Sequence, residues 1–80
     1  MIKNRYVDVG FGNVVAAGRI LYIADSDATS VKRDVTILRG VGRLRDFTRG
    51  RATRSLIYMD DGSAVQSSLY PEVIAIKAGG

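Results

Sequence analysis

The sequence has no cysteine, no histidine and no tryptophan, and a single proline. Without cysteine there are no disulfides, and without cysteine or histidine an ordinary zinc site is excluded. The usual nucleophile–base pairs of hydrolytic enzymes are missing for the same reason. No apolar run approaches the roughly 20 residues needed to cross a bilayer. The start, Met1-Ile2-Lys3-Asn4-Arg5-Tyr6, is charged and lacks the apolar stretch of a signal peptide. These absences predict a cytoplasmic protein that is not an enzyme. It is held together by packing alone, and nothing calls for a metal, a cofactor, a membrane or a small-molecule substrate.

Negative charge is also scarce where it would matter most. Between Lys32 and Arg54 there are eight basic residues against two acids, Asp34 and Asp46, a local charge of +6. The remainder carries four basic and six acidic residues, or −2, which leaves the whole chain at +4. Nine of the twelve basic residues are arginine, whose planar fork suits phosphate oxygens better than a lysine does. The stretch Thr48-Arg49-Gly50-Arg51-Ala52-Thr53-Arg54-Ser55 places three arginines around a glycine with no carboxylate among them. Charges so dense repel one another in the free protein and gain from an anionic ligand. Gly50 lets the loop approach a phosphate closely. Together with Lys32 and Arg33, the residues Arg49, Arg51 and Arg54 form the footprint of a nucleic-acid binder. Aromatic residues do not interleave with these arginines along the chain, which favours duplex DNA over single strands or RNA loops.

Other motifs carry less. Gly10-Phe11-Gly12 begins like a dinucleotide fingerprint, but Val15 stands where the third glycine is required, and Gly40-Val41-Gly42 fails likewise at Arg45. Asp60-Asp61 with Glu72 offers too few ligands for a metal and reads as turn chemistry.

Eighty residues make one domain, 1–80, too short to divide. Tyr6-Val7-Asp8-Val9 alternates like a strand, Gly10 to Asn13 interrupts it, and Val14-Val15 resumes an extended path. Arg19 to Ala24 is the strongest strand, ended by Asp25-Ser26-Asp27. From Thr29 to Gly40 the period changes: Val31, Val35 and Leu38 share one helical face, with Lys32, Arg33, Thr36 and Arg39 off it. Thr29 or Ser30 is expected to cap this helix and Gly40 to end it. Leu44 to Phe47 and Ser55 to Met59 are strands, Asp60-Asp61-Gly62-Ser63 is a hairpin turn, and Ala64 to Leu69 pairs back. Tyr70-Pro71 breaks that strand, and Glu72 to Ala78 is a short element of either type. The order predicts an α+β fold with a mainly antiparallel sheet and one main amphipathic helix. Simple alternation puts Ile20, Tyr22 and Ala24 on one face of their strand and Leu21 and Ile23 on the other. Leu56 and Tyr58 likewise oppose Ile57 and Met59. One helix covers one face, so the second is expected to be covered by another copy of the chain.

Several of these residues resemble the RemA family of bacterial regulatory proteins: Val9-Gly10-Phe11-Gly12-Asn13-Val14-Val15, Arg19-Ile20, Val31-Lys32-Arg33, Asp46, Thr48, Gly50-Arg51, Thr53-Arg54, and Pro71-Glu72 with Ala75. The match runs in order and spacing from Tyr6 to Lys77. The resemblance implies a DNA-binding transcriptional regulator of extracellular-matrix (biofilm) genes, LytTR-like in fold and ring-shaped as a homo-oligomer, with duplex DNA wrapped around rim arginines. The family's DNA-contacting arginines fall on Arg19 and Arg51. A further one falls on Ala52, and Arg49 is expected to compensate from a nearby position. The alternative is a structural or scaffolding homo-oligomer whose basic rim binds RNA or an acidic protein.

Overall fold

A computed structural model describes residues 5–79. Strands β1 (Tyr6–Asp8) and β2 (Val14–Ala16) form an antiparallel hairpin, and a 3-10 turn (Ala17–Arg19) leads into β3 (Ile20–Asp25). Helix α1 (Thr29–Gly40), strands β4 (Leu44–Asp46), β5 (Ser55–Met59) and β6 (Ala64–Ser67), and helix α2 (Pro71–Gly79) complete the order. The four-stranded sheet runs β3-β5-β6-β4. The pairs β3–β5 and β5–β6 are antiparallel, while β4 lies parallel to β6, so the sheet is mixed. The α+β class is as expected. The last segment, of undecided type in the sequence, is a second helix.

The two central strands explain the layering. Leu56 and Ile57 are adjacent in β5 and point to opposite faces, yet neither has any solvent exposure. On one face Leu56 and Ala64 meet Val31 of α1, with Val35 and Leu38 packed alongside. On the other, Ile57 and Val65 meet Val7 and Val9 of the hairpin and Ile74 of α2. Each aliphatic side chain buried this way contributes roughly 1.5–3 kcal/mol. The chain therefore covers both faces of its own sheet. That corrects the expectation that Ile57 and Ile23 require a second copy: the overlooked cover is the hairpin together with α2.

Strand β3 also departs from simple alternation. Ile20 pairs with Met59 and Tyr22 with Tyr58, so Leu21 is an extra, bulged residue. The bulge returns Ile23 to the same face as Ile20, where both pack on the Ile57 cluster. Leu21 is left at the sheet's edge, 65% exposed.

Local chemistry fixes the joints. The stripe Val31, Val35, Leu38 faces the sheet as expected, but the N-cap is Ala28, with no side-chain capping bond, rather than Thr29 or Ser30. The Asp25 carboxylate instead accepts the Asp27 N–H at 2.8 Å and shapes the entry to the helix. At the other end Gly42 N–H donates to Arg39 O and Arg43 N–H to Leu38 O, the paired bonds of a Schellman motif. Its left-handed residue is Gly42 (φ 74), two positions beyond the expected Gly40. The Tyr58 hydroxyl donates to Asp34, tying β5 to α1, and burial followed by that bond pushes the phenol well above its ordinary range. Tyr22 stacks on Tyr58 with centroids 4.3 Å apart. In the β5–β6 turn the Asp61 carboxylate accepts the N–H and hydroxyl of Ser63, at 2.9 and 2.6 Å. Among the described residues no helix is long and apolar enough to cross a membrane.

Replacing Ile57 by Ala should cost about 2–5 kcal/mol, because a filled position is emptied between two layers. Leu21→Ala should change stability by less than about 0.5 kcal/mol. Urea unfolding of both variants measures the difference; equal losses would mean that Leu21 is buried by something other than its own chain.

Candidate functional site

The arginine-rich segment is the loop from β4 to β5, and hydrogen bonds hold it at three points. At its start the Asp46 carboxylate accepts the backbone N–H of Thr48 at 2.9 Å and the Thr48 hydroxyl at 2.6 Å. These bonds, the hydroxyl first, hold the Asp46 carboxyl below the usual carboxylate range. Thr48, buried to 2% exposure, then accepts the N–H of Arg51 at 3.0 Å. The turn so closed has positive φ at both central residues, 53° at Arg49 and 80° at Gly50, which makes it type I′. At the far end Arg54 N–H donates to Ser67 O at 2.8 Å, and the Ser26 hydroxyl donates to Thr53 O at 2.6 Å. Arg49, Arg51 and Arg54 project from this framework into solvent.

A second loop meets the first. In the β1–β2 hairpin Val9 N–H donates to Asn13 O at 2.8 Å and Gly10 N–H to the Asp8 carboxylate at 2.6 Å. Gly10, Phe11 and Gly12 all have positive φ, at 114°, 55° and 78°. The Ser67 hydroxyl donates to Val9 O at 2.7 Å and so ties the hairpin to the end of β6, next to the arginine loop. The guanidinium carbons of Arg49 and Arg51 then lie 5.5 and 5.8 Å from the centre of the Phe11 ring. That of Arg54 lies 5.2 Å from the centre of Tyr70. Phe11, Arg51, Ala52, Arg54 and Ser68 line a shallow groove between these pairs.

The expected separation of aromatics from arginines is thereby corrected. Phe11 and Tyr70 are distant in sequence, and the fold brings them to the cluster. The Gly-Phe-Gly pattern signalled a turn, but nothing local signalled what its ring would touch.

The six basic residues singled out in the sequence do not form one patch. Lys32, exposed on α1, borders a depression shared with Ser26, Asp27, Thr53 and Gln66, at the arginine-loop end of the sheet. Arg33 is exposed beside it. Arg19 sits at the opposite end, before β3, where its Nε is 3.0 Å from Asp60 Oδ1. The length of β5, roughly 13 Å at about 3.3 Å per residue, separates it from the loop. The Arg19–Asp60 contact is the one ion pair among the described residues, so Arg49, Arg51 and Arg54 have no carboxylate partner there. Asp60 and Asp61 belong to the β5–β6 turn, and Glu72 lies in the first turn of α2 beyond the other end of β6.

Fold and site thus define a small α+β protein with an arginine cluster mounted on two aromatic rings. The chain belongs to the RemA-like family, described as extracellular matrix regulatory protein A-like, whose model matches residues 6–77. It is 44% identical over 71 residues to a Bacillus cereus protein, covering 89% of this chain and 82% of that one. A Synechococcus protein is 41% identical over 74 residues (92% and 83%), and one from Geobacillus kaustophilus is 38% identical over 76 (95% and 87%). Each of the three carries the name "Putative regulatory protein".

The Asp46 bonds give a pH signature. A carboxylate whose folded value is depressed stabilises the fold above its ordinary value of 3.8, and that stability is lost as pH falls through the folded value. Asp46→Asn should therefore lose less stability on acidification from about pH 6 to about pH 3 than the wild type does. Thermal melts across that range check it; an identical acid loss would mean that the charge contributes nothing to the loop.

Proposed function

We propose that this protein is a cytoplasmic DNA-binding regulator of transcription, acting on genes of the extracellular-matrix type as a ring-like homo-oligomer of LytTR-like protomers. The whole chain serves as one DNA-binding and oligomerisation unit. The observation that carries the reading is the cluster of Arg49, Arg51 and Arg54, which has no carboxylate partner among the described residues and stands on a hydrogen-bonded loop. Uncompensated guanidiniums gain most from phosphates, which release condensed counterions when they are neutralised. Membership of a family of regulatory proteins supports the same direction. Arg19, a strand length away, adds a second point of contact. Two such points can reach backbones on either side of a major groove about 12 Å wide. Lys32 and Arg33 extend the basic surface at the loop end.

Homo-oligomerisation is supported by apolar surface that the chain does not cover. Val41 and Ile76 are 63% and 73% exposed, after α1 and on α2 respectively. Patches on separate elements suit a heterologous contact, which closes into a ring when the rotation allows. Repeated weak contacts from a shared ring raise effective concentration and supply affinity that one protomer lacks.

The exposed aromatics favour a competing reading, since rings beside arginines also serve single-strand and RNA binders. Here, however, the rings are occupied by guanidiniums, which suits backbone contact better than base stacking.

Titration of duplex DNA, single-stranded DNA and RNA at several salt concentrations tests the proposal. Log affinity should fall with log salt by about 0.9 for each phosphate neutralised, several times over if several protomers engage. Arg51→Ala should weaken duplex binding and reduce the slope. A preference for RNA or single strands, or an unchanged slope in Arg51→Ala, would overturn the duplex reading. Sedimentation should give a species well above the 8.7 kDa of one chain, and a monomer at micromolar concentration would remove the ring.

A further inference from the structure

We propose that Phe11 is a positioning residue for the arginine cluster: its ring fixes the guanidiniums of Arg49 and Arg51 before any anion arrives. The inference rests on the reading of this cluster as the DNA-contacting surface and adds a residue that makes no phosphate contact of its own.

Packing does not account for Phe11. It is 42% exposed and belongs to neither core cluster. The turn does not account for it either. Positive φ is strained for a bulky side chain, and asparagine or glycine would make the same turn without that strain. What the ring does touch is Arg49 and Arg51, both within the distance of about 6 Å at which a cation is attracted to an aromatic face. Arg49 is also strained: it and Phe11 are the non-glycine residues with positive φ among the described residues. Two unfavourable backbone conformations, on loops far apart in sequence, therefore converge on one contact. Strain that the surrounding structure sustains at such a point marks function.

The physical effect is pre-organisation. A free arginine loses much rotamer freedom when it clamps a phosphate. Over the ring, part of that freedom is already gone. The negative face of the ring also attracts both guanidiniums, which offsets the repulsion between like charges. Ala52 and Ser68 add no bulk to the groove beside them, so the backbone of an approaching strand meets arginines already in place.

Phe11→Leu keeps apolar bulk and removes the ring, whereas Phe11→Tyr keeps the ring. In the free protein the side-chain Nε–Hε resonances of Arg49 and Arg51 should be displaced by the ring current in wild type and in Phe11→Tyr. In Phe11→Leu they should relax toward ordinary values. Duplex affinity should fall about two- to fivefold per engaged cation–ring pair in Phe11→Leu and recover in Phe11→Tyr. The salt slope should stay at its wild-type value, since every phosphate-binding charge remains. Melting temperature should hold in both variants, because the ring lies outside the core. Unmoved arginine resonances, or wild-type affinity in Phe11→Leu, would overturn the proposal. So would a reduced salt slope or a failure of Phe11→Tyr to restore binding, either of which makes the residue a contact or a structural support. If wild type binds no DNA but its arginine resonances respond to Phe11→Leu, the positioning role stands and the DNA reading fails.

Discussion

Strand β5 buries two consecutive residues, Leu56 and Ile57, and a strand sends consecutive side chains to opposite faces. An 80-residue chain must then supply a cover for each face of its sheet. Helix α1 provides one. The other is assembled from pieces at the two sides of the sequence, the β1–β2 hairpin and α2. Bringing these pieces together has a functional effect beyond stability. The Ser67–Val9 bond that docks the hairpin also carries the Gly-Phe-Gly turn to the arginine loop. Packing on the hidden face thus determines which side chains meet on the exposed rim.

What was legible in the sequence follows from which forces are local. The spacing of Val31, Val35 and Leu38 reports a helix because it reports one apolar face. Asp60 to Ser63 reports a hairpin because Gly62 (φ 86) takes a conformation that other residues avoid. Helix α2 was not decided, since Val73, Ile74, Ala75 and Ile76 are apolar in a row and show no period. The bulge at Leu21 is invisible to an alternation rule that allows no extra residue, and the misplacement of Ile20 followed from it. Parallel pairing of β4 with β6 is set by the crossing of α1 over the sheet rather than by either strand.

The candidate site divides the same way. Its charge was legible, because an excess of arginine over carboxylate is a property of composition. Its geometry was not. Phe11 and Tyr70 reach the loop only through tertiary folding, and Arg19 leaves it for the same reason, carried to the opposite end by the antiparallel pairing of β3 with β5. Asp46, close to the cluster in sequence, and Asp8, at the start of the Gly-Phe-Gly turn, are engaged with Thr48 and Gly10. They shape the two loops instead of neutralising the arginines between them.

The bulge in β3 also bears on how this chain behaves when crowded. Strand β3 lies at the edge of the sheet, where unpaired N–H and C=O groups offer a template for further strands. Its residues are largely apolar, the composition that favours cross-β stacking. The extra residue at Leu21 breaks that template after Ile20 and leaves an unbroken pairing stretch of only Tyr22 to Asp25. Steric zippers draw on segments of about six or seven residues. The irregularity that places Ile20 and Ile23 on the core therefore also guards an exposed edge against fibril growth.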